Sequence, residues 1–375
     1  MKTIHLGAGN IGRGFIAPIL KQDPAIGEIK FLDVNPEVIN LIKTQKKYIV
    51  KELAEKDNEI LIKNISANLL DDILKAKIDD YLLDAKIITI SIGQPNLRFL
   101  IKNFEYISDL LIKNNKEMLI LCCENGNRVS SYFKKLLIEN KINVLPFHFV
   151  DVVVDRIVPN QERDSLNVQV EKYFSWIVDE EQWPSNFTKI KTIVYSKDLD
   201  SEINKKICLL NGVHSALSWH RYAIDKFQIP ILQDALKFNE TKNYFDNLTS
   251  ELVIIIAQQY NFEIKYLKEY ISSIWKRFNN PKIKDEMSRI ARNPITKMQK
   301  NERILNPLFF AASKGLKFEY LSQAFNDLLN YHFSEDKEAV ELSNYISVHG
   351  KLKAVLNYVK ELNNQEIEVI KKIIN

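Results

Sequence analysis

A strand that runs straight into three spaced glycines constrains this chain more than any other feature. Met1-Lys2-Thr3-Ile4-His5-Leu6 reads as a short buried strand. Gly7-Ala8-Gly9-Asn10-Ile11-Gly12 follows it, with the G-x-G-x-x-G spacing of a dinucleotide turn. In that pattern the first glycine makes a tight turn, the second lets a pyrophosphate approach, and the third lets helix pack on strand. A helix expected over Phe15 to Lys21 presents its free N–H groups and positive dipole end to the phosphates. A second strand, Ile29-Lys30-Phe31-Leu32, ends at Asp33. That is about twenty residues past the glycines, where a carboxylate bonds ribose hydroxyls. The same charge repels a 2′-phosphate, and neither Val34 nor Asn35 offsets it. The expected cofactor is therefore NAD, held by Gly7, Ala8, Gly9, Asn10, Ile11, Gly12 and Asp33.

At 375 residues two domains are the natural expectation, each able to bury a full core. A net charge of +4 is mild for this length and gives no reason to expect nucleic acid or an acidic membrane. None of the three cysteines, Cys122, Cys123 and Cys208, stands in a C-x-x-C pair, so neither a metal framework nor a disulfide scaffold is expected. Cys122 and Cys123 close the apolar run Met118-Leu119-Ile120-Leu121 and read as a buried strand end. There is no charged-then-apolar leader and no stretch long enough to span a bilayer, so the expected location is the cytoplasm.

The first third alternates strand and helix patterns, as parallel βαβ units do. Candidate strands are Thr3–Leu6, Glu28–Leu32, Ile87–Ser91 and Met118–Cys122. Ser91-Ile92-Gly93-Gln94-Pro95 closes the third, and Ser91 and Gly93 are candidate cofactor contacts, because ligands of open parallel sheets lie outside the carboxyl ends. An ordinary strand-to-helix turn reads the same way. From Asp151 to about Lys191 the pattern is irregular and strand-like, with Val168-Gln169-Val170-Glu171 alternating well. From about Asp198 helical periodicity dominates: Ile203, Ile207, Leu210, Val213 and Leu217, then Leu252–Tyr260, Tyr266–Phe278, Tyr320–Leu329, Ala339–Val348 and Glu366–Ile374. The expected fold is an α/β Rossmann-type dinucleotide-binding domain over 1–195, with extra strands near its end. A mostly α-helical substrate and catalytic domain over 196–375 follows, with the active site expected in the cleft between the two.

Lys206-Ile-Cys-Leu-Leu-Asn211-Gly-Val-His214 is the run that can carry chemistry. On a helix at about 100° per residue, His214 lies roughly 80° and Asn211 roughly 140° from Lys206, so one face can present all three. A lysine in an apolar helix is suited to act as a base, because burial disfavours its charged form. The bland alternative has Lys206 reaching solvent beside Lys205 and His214 as a satisfied core histidine. No histidine has zinc-ligand spacing, and no metal is expected.

Taken in order, these pieces resemble the long-chain polyol dehydrogenases, the mannitol-1-phosphate 5-dehydrogenases among them. The resemblance rests on Gly7 to Phe15, Cys123-Glu-Asn125, Val154-Asp-Arg-Ile-Val-Pro159 and Phe174-Ser-Trp-Ile-Val-Asp179. Beyond these come Lys206/Asn211/His214, Arg277-Phe-Asn-Asn-Pro281, Arg289-Ile-Ala-Arg-Asn-Pro294 and Phe333-Ser-Glu-Asp336. The resemblance implies that Lys206 is the general base, that Asn125 and Asn211 flank the reacting oxygen, and that His214 helps hold substrate. It implies a support role for Asp155, against which stands a plain salt bridge in the Asp155–Arg156 region. It implies NAD-dependent interconversion of D-mannitol 1-phosphate and D-fructose 6-phosphate, by a monomer or a dimer, with Arg289, Arg292 and Lys297 as phosphate candidates and Lys300 and Arg303 beside them. A run of charges can also be only a solvated face. Two positions depart from the family pattern: Thr296 precedes Lys297 where relatives carry Arg, and Asn211-Gly-Val-His214 replaces Asn-Thr-Gly-His. Sugar-acid or unphosphorylated-polyol oxidation is the alternative, and a non-catalytic NAD sensor a more distant one.

Overall fold

Strands that are apolar on both faces need cover on both sides, and the N-terminal strands meet that need as a parallel sheet. The computed structural model describes residues 1–374 apart from 55, 160 and 162–164. The chain divides into two units, Met1–Glu202 and Ile203–Asn375. In chain order the strands of the first unit are β1 (Lys2–Leu6), β2 (Ile29–Asp33), β3 (Lys47–Leu53), β4 (Asn58–Lys63), β5 (Ile65–Leu69), β6 (Ala85–Ile90), β7 (Met118–Cys122), β8 (Phe147–Phe149), β9 (Val152–Asp155), β10 (Val168–Glu171), β11 (Ser175–Asp179) and β12 (Val194–Ser196). The main sheet has the order β5-β2-β1-β6-β7-β8, all parallel. This is the doubly wound order, and the chain reverses direction across the sheet between β1 and β6. Leu6 pairs with Leu32 and Ile90, and Ile90 with Cys122, so the carboxyl ends of four strands share one edge.

Ile4, Leu6, Ile88 and Ile90 pack into a core on one face, while Ile29, Phe31 and Leu119 join Phe15 and Trp176 on the other. Five strands lie outside the sequence expectation: β3, β4, β5, β8 and β12. In β3 and β4 charged residues interrupt the apolar ones, because part of the hairpin faces solvent. Parallel pairing of β10 with β3 gives the hairpin its third strand. The expected strand-like stretch after Asp151 comprises β9, β10 and β11, and β11 also pairs with β12.

The second unit is helical. The helices Ile264–Phe278, Glu319–Leu329, Lys337–His349 and Asn364–Ile373 fall where apolar periodicity places them, and Leu252–Tyr260 is the end of a longer helix, Asn239–Tyr260. The expected single helix over Ile203–Leu217 is instead three pieces: Leu199–Lys205, a wide helical turn over Lys206–Gly212, and Val213–Asp225. Among the described residues no helix is long and apolar enough to cross a membrane.

Candidate active site

The glycine loop folds as it does because two of its members have no room for a side chain. Gly7 takes φ +105°, and a Cβ there would lie 2.5 Å from the Ser91 carbonyl oxygen. A Cβ on Gly12 would collide with the Gly7 carbonyl and with the ring of His5. Gly9 is different: nothing lies within 4 Å of where its Cβ would be. Behind the loop, Gly12–Ile16 is a wide turn, with the N–H of Ala17 donating to the Gly12 carbonyl, and it leads into the short helix Ala17–Leu20. Asp33 accepts from the Ala8 N–H at 2.6 Å and the Asn35 N–H at 2.9 Å. A cavity of about 310 Å³ opens between Ala8, Gly9, Arg13, Asp33, Asn35 and Glu37. The fold thus brings Arg13 to Asp33, although no arginine adjoins it in sequence. Arg13 is already committed: Nε donates to the Ala8 carbonyl, Nη1 to the Ser165 and Leu166 carbonyls, and Nη2 to Asn10. Asn10 is half-buried and Ile11 exposed on the same loop.

At the ends of β6 and β7 a second cluster forms. His5 is fully buried; its ring bonds Thr89 at 2.7 Å and Ser91 at 2.9 Å, and burial pushes it down to about 3, so it is neutral. The Ile92 and Gly93 N–H groups both donate to one oxygen of Glu124, each at 2.7 Å. Asn125, next in the chain, is exposed. Arg128 ends this loop with φ +47° and binds Asp179 at 2.7 Å, Asp200 at 2.7 Å and Asp151 at 3.4 Å. The loop that carries Asn125 is therefore pinned on both sides. Cys122 and Cys123 are buried at the end of β7, and burial pushes both thiols up. Asp155 is buried, and its neighbour Arg156 pairs with Glu52 at 2.7 Å.

In the second unit the wide turn changes how Lys206 and Asn211 relate. Residues five apart sit at wide angles on an ordinary helix, but a turn closed by i→i+5 hydrogen bonds brings them toward one side. Lys206, Asn211 and His214 are all partly buried. Lys205 does not reach solvent: it is 4% exposed, its ammonium group donates to the Tyr266 hydroxyl at 2.6 Å, and Phe262, Tyr266 and Tyr270 surround it. A Cβ on Gly212 would lie 3.1 Å from the Arg303 carbonyl, so the basic segment runs close against this turn. His214 stacks on Phe278 at 4.4 Å between ring centres. Its Nε2 lies 3.1 Å from one oxygen of Asp285. The other Asp285 oxygen pairs with Arg289. Burial pushes the Asp285 carboxyl up, but the charges and hydrogen bonds of His214 and Arg289 outweigh it and hold it at about 2.

Of the basic residues, Arg289 and Arg292 are exposed, and Arg292 Nε donates to the Arg289 carbonyl at 3.2 Å. Lys297 donates to the Ile290 carbonyl; burial, then Arg303 and Arg292, lower it to about 7. Lys300 pairs with Glu366 at 2.9 Å. Arg303 pairs with Glu302 at 3.1 Å and reaches Ser215 at 3.4 Å. Thr296 is bonded through its N–H and hydroxyl to Glu338. Among the described residues no group of three or more His, Cys, Asp or Glu side chains is placed to hold a metal ion. Sequence reading missed Arg13, Glu124 and Asp285. Only Asp285 leaves a local signal, its i,i+4 spacing to Arg289.

Residues 1–192 match the mannitol dehydrogenase Rossmann domain and residues 198–373 the mannitol dehydrogenase C-terminal domain. A mannitol-1-phosphate 5-dehydrogenase of Mycoplasma mycoides subsp. mycoides SC is 38% identical, over 88% of this chain and 98% of its own. One from Clostridium acetobutylicum is 31% identical, over 97% of each chain. Among solved structures, D-mandelate dehydrogenase with NADH and anilino(oxo)acetate aligns with a TM-score of 0.51 and 12% identity, over 92% of this chain and 99% of that one. The 2-dehydropantoate 2-reductase of Geobacter metallireducens aligns with a TM-score of 0.51 and 11% identity, over 88% and 99%. At such identity these two speak for the fold alone. Matched in both halves and over nearly its whole length, the chain belongs to the mannitol dehydrogenase family, NAD-dependent oxidoreductases with a Rossmann domain.

Proposed function

We propose that this protein interconverts D-mannitol 1-phosphate and D-fructose 6-phosphate without a metal, with Lys206 as general base. The observation that carries the reading is the convergence in the second unit of the Lys206–Gly212 turn, His214, Asp285 and the basic segment from Arg289. The curated relatives named mannitol-1-phosphate 5-dehydrogenase support the substrate pair.

The first unit fits a dinucleotide. Gly9 leaves open space at the loop, and the carboxylate of Asp33 lines the adjoining cavity. Bound NAD supplies the acceptor for the hydride that leaves the substrate carbon. Gly7 and Gly12 let the loop fold tightly, the Ala8 and Asn10 to Gly12 backbone borders the phosphates, and Ser91 and Gly93 line the far side. Four of the five N–H groups of Arg13 are engaged within the protein, so it offers little to a 2′-phosphate, and the charge of Asp33 selects NAD.

Lys206, neutral, accepts the proton of the reacting hydroxyl. Amide N–H groups of Asn125 and Asn211 donate to the oxygen as it gains charge. His214, held by Phe278 and Asp285, orients the polyol. Arg289, Arg292 and Lys297 face the phosphate, for which guanidinium geometry is well suited. One observation favours the sugar-acid alternative: Thr296 is tied to Glu338 and adds no cation. The test is to incubate the pure protein with NAD and mannitol 1-phosphate and follow NADH absorbance. Turnover is the expected result, and none with any polyol or polyol phosphate would leave the sensor reading.

A further inference from the structure

Glu124 is a carboxylate with an oxygen to spare. One oxygen, Oε1, accepts both the Ile92 and Gly93 N–H groups. The other has no hydrogen-bond partner among the described residues and is not sealed from solvent. No cation lies in ion-pair contact with Glu124 among those residues. Burial pushes its carboxyl up, more than the two N–H donors hold it down. A partly desolvated carboxylate without a countercharge calls for neutral hydrogen-bond donors.

Its place in the sheet says which donors. Ligands of this strand order lie outside the carboxyl ends at the reversal between β1 and β6. Asp33 ends β2, next to β1 on one side. Glu124 follows β7, next to β6 on the other. The contacts run without a break from Gly7 against Ser91, through the 91–93 turn, to Glu124. From β2 to β7 is three strand spacings, roughly 14 Å, so the two carboxylates stand on opposite sides of the reversal. Both carboxylates are built alike: each is fixed by two backbone N–H groups and paired with no lysine or arginine side chain within ion-pair distance.

We propose that the free oxygen of Glu124 accepts hydrogen bonds from the hydroxyls of the nicotinamide ribose, as the counterpart of Asp33 at the adenosine ribose. Glu124 is thus a cofactor-binding residue, and it also fixes the loop that carries Asn125. The inference rests on reading the glycine loop and Asp33 as the cofactor's adenosine end. Donation from the ribose favours the charged carboxylate, so cofactor affinity rises as Glu124 loses its proton.

Binding of a truncation series to Glu124→Gln tests this without turnover. The glutamine oxygen still accepts from Ile92 and Gly93, while the charge is gone. Calorimetry with ADP, ADP-ribose and NADH separates the parts. ADP, which lacks the second ribose, should bind the variant as it binds wild type. ADP-ribose and NADH should each weaken on the order of tenfold, the size of one charge-assisted hydrogen bond. An equal loss for ADP would reduce Glu124 to a folding role and overturn the proposal. So would unchanged ADP-ribose affinity with NADH alone weakened, which would assign the contact to the carboxamide. Failure of wild type to bind ADP would instead sink the reading of the adenosine end.

Discussion

The candidate sites of the two units hold their carboxylates in opposite ways. In the first, carboxylates lean on the backbone: Asp33 on the N–H groups of Ala8 and Asn35, Glu124 on those of Ile92 and Gly93. In the second, charges lean on one another: Asp285 on His214 and Arg289, with Lys297 lowered by burial and then by Arg303 and Arg292. A carboxylate fixed by amides and without a countercharge suits neutral hydroxyls and, when charged, repels phosphate. A cluster that presents exposed arginines suits an anionic substrate. On the proposed function, the first site takes the sugar hydroxyls of the cofactor and the second the phosphate of the substrate.

The largest expected effect breaks neither side but the chemistry itself. Lys206→Ala should lose about 10² to 10⁴-fold in turnover from proton transfer alone, with NADH affinity kept in a fluorescence titration. A near-normal rate would remove Lys206 from the mechanism. Next comes the cationic side. Arg292→Ala should lower kcat/KM for fructose 6-phosphate by roughly ten- to a hundredfold and hardly change that for fructose. An equal loss on both would make Arg292 a folding residue. On the anionic side, Asp33→Ala should narrow the preference for NADH over NADPH on the order of tenfold. Equal use of both cofactors by wild type would contradict the role of Asp33.

The smallest effect is a pH dependence. Lys297 sits at about 7 instead of 10.5, so its charge fades as pH climbs through that value. KM for fructose 6-phosphate should rise severalfold over that interval, and Lys297→Met should flatten the rise relative to wild type. The stability change has the other sign. The unfolded chain binds more protons than the folded one between about 7 and 10.5, so Lys297 makes folding more favourable as pH increases across that window.

What could be read from the sequence differs between the units for the same reason. Gly7, Gly9, Gly12 and Asp33 stand in one short stretch, with the strand and turn that give them meaning on either side. Asp285 acquires its role only when the fold brings it to His214, far away in the chain. Glu124 stands within Cys123-Glu-Asn125, but its carboxylate points back to the previous strand's turn, which no spacing announces. Apolar periodicity found several helices of the second unit, because each buries one stripe, but not Leu305–Lys314 or Lys351–Tyr358. It could not find the wide turn at Lys206–Gly212, since Ile203, Ile207 and Leu210 fit an ordinary helix equally well and the change lies in the backbone hydrogen bonds. The β3–β4 hairpin escaped notice because its charged residues break the alternation.

The most direct test of the contrast is the ratio of kcat/KM for fructose 6-phosphate to that for fructose, with NADH, beside fructuronate and tagaturonate. An anion-seeking second unit predicts that fructose 6-phosphate leads by at least the roughly ten- to hundredfold that one charge-assisted contact contributes. Equal constants for fructose and its phosphate would contradict the account, and a lead for tagaturonate or fructuronate would hand the same cations to a carboxylate.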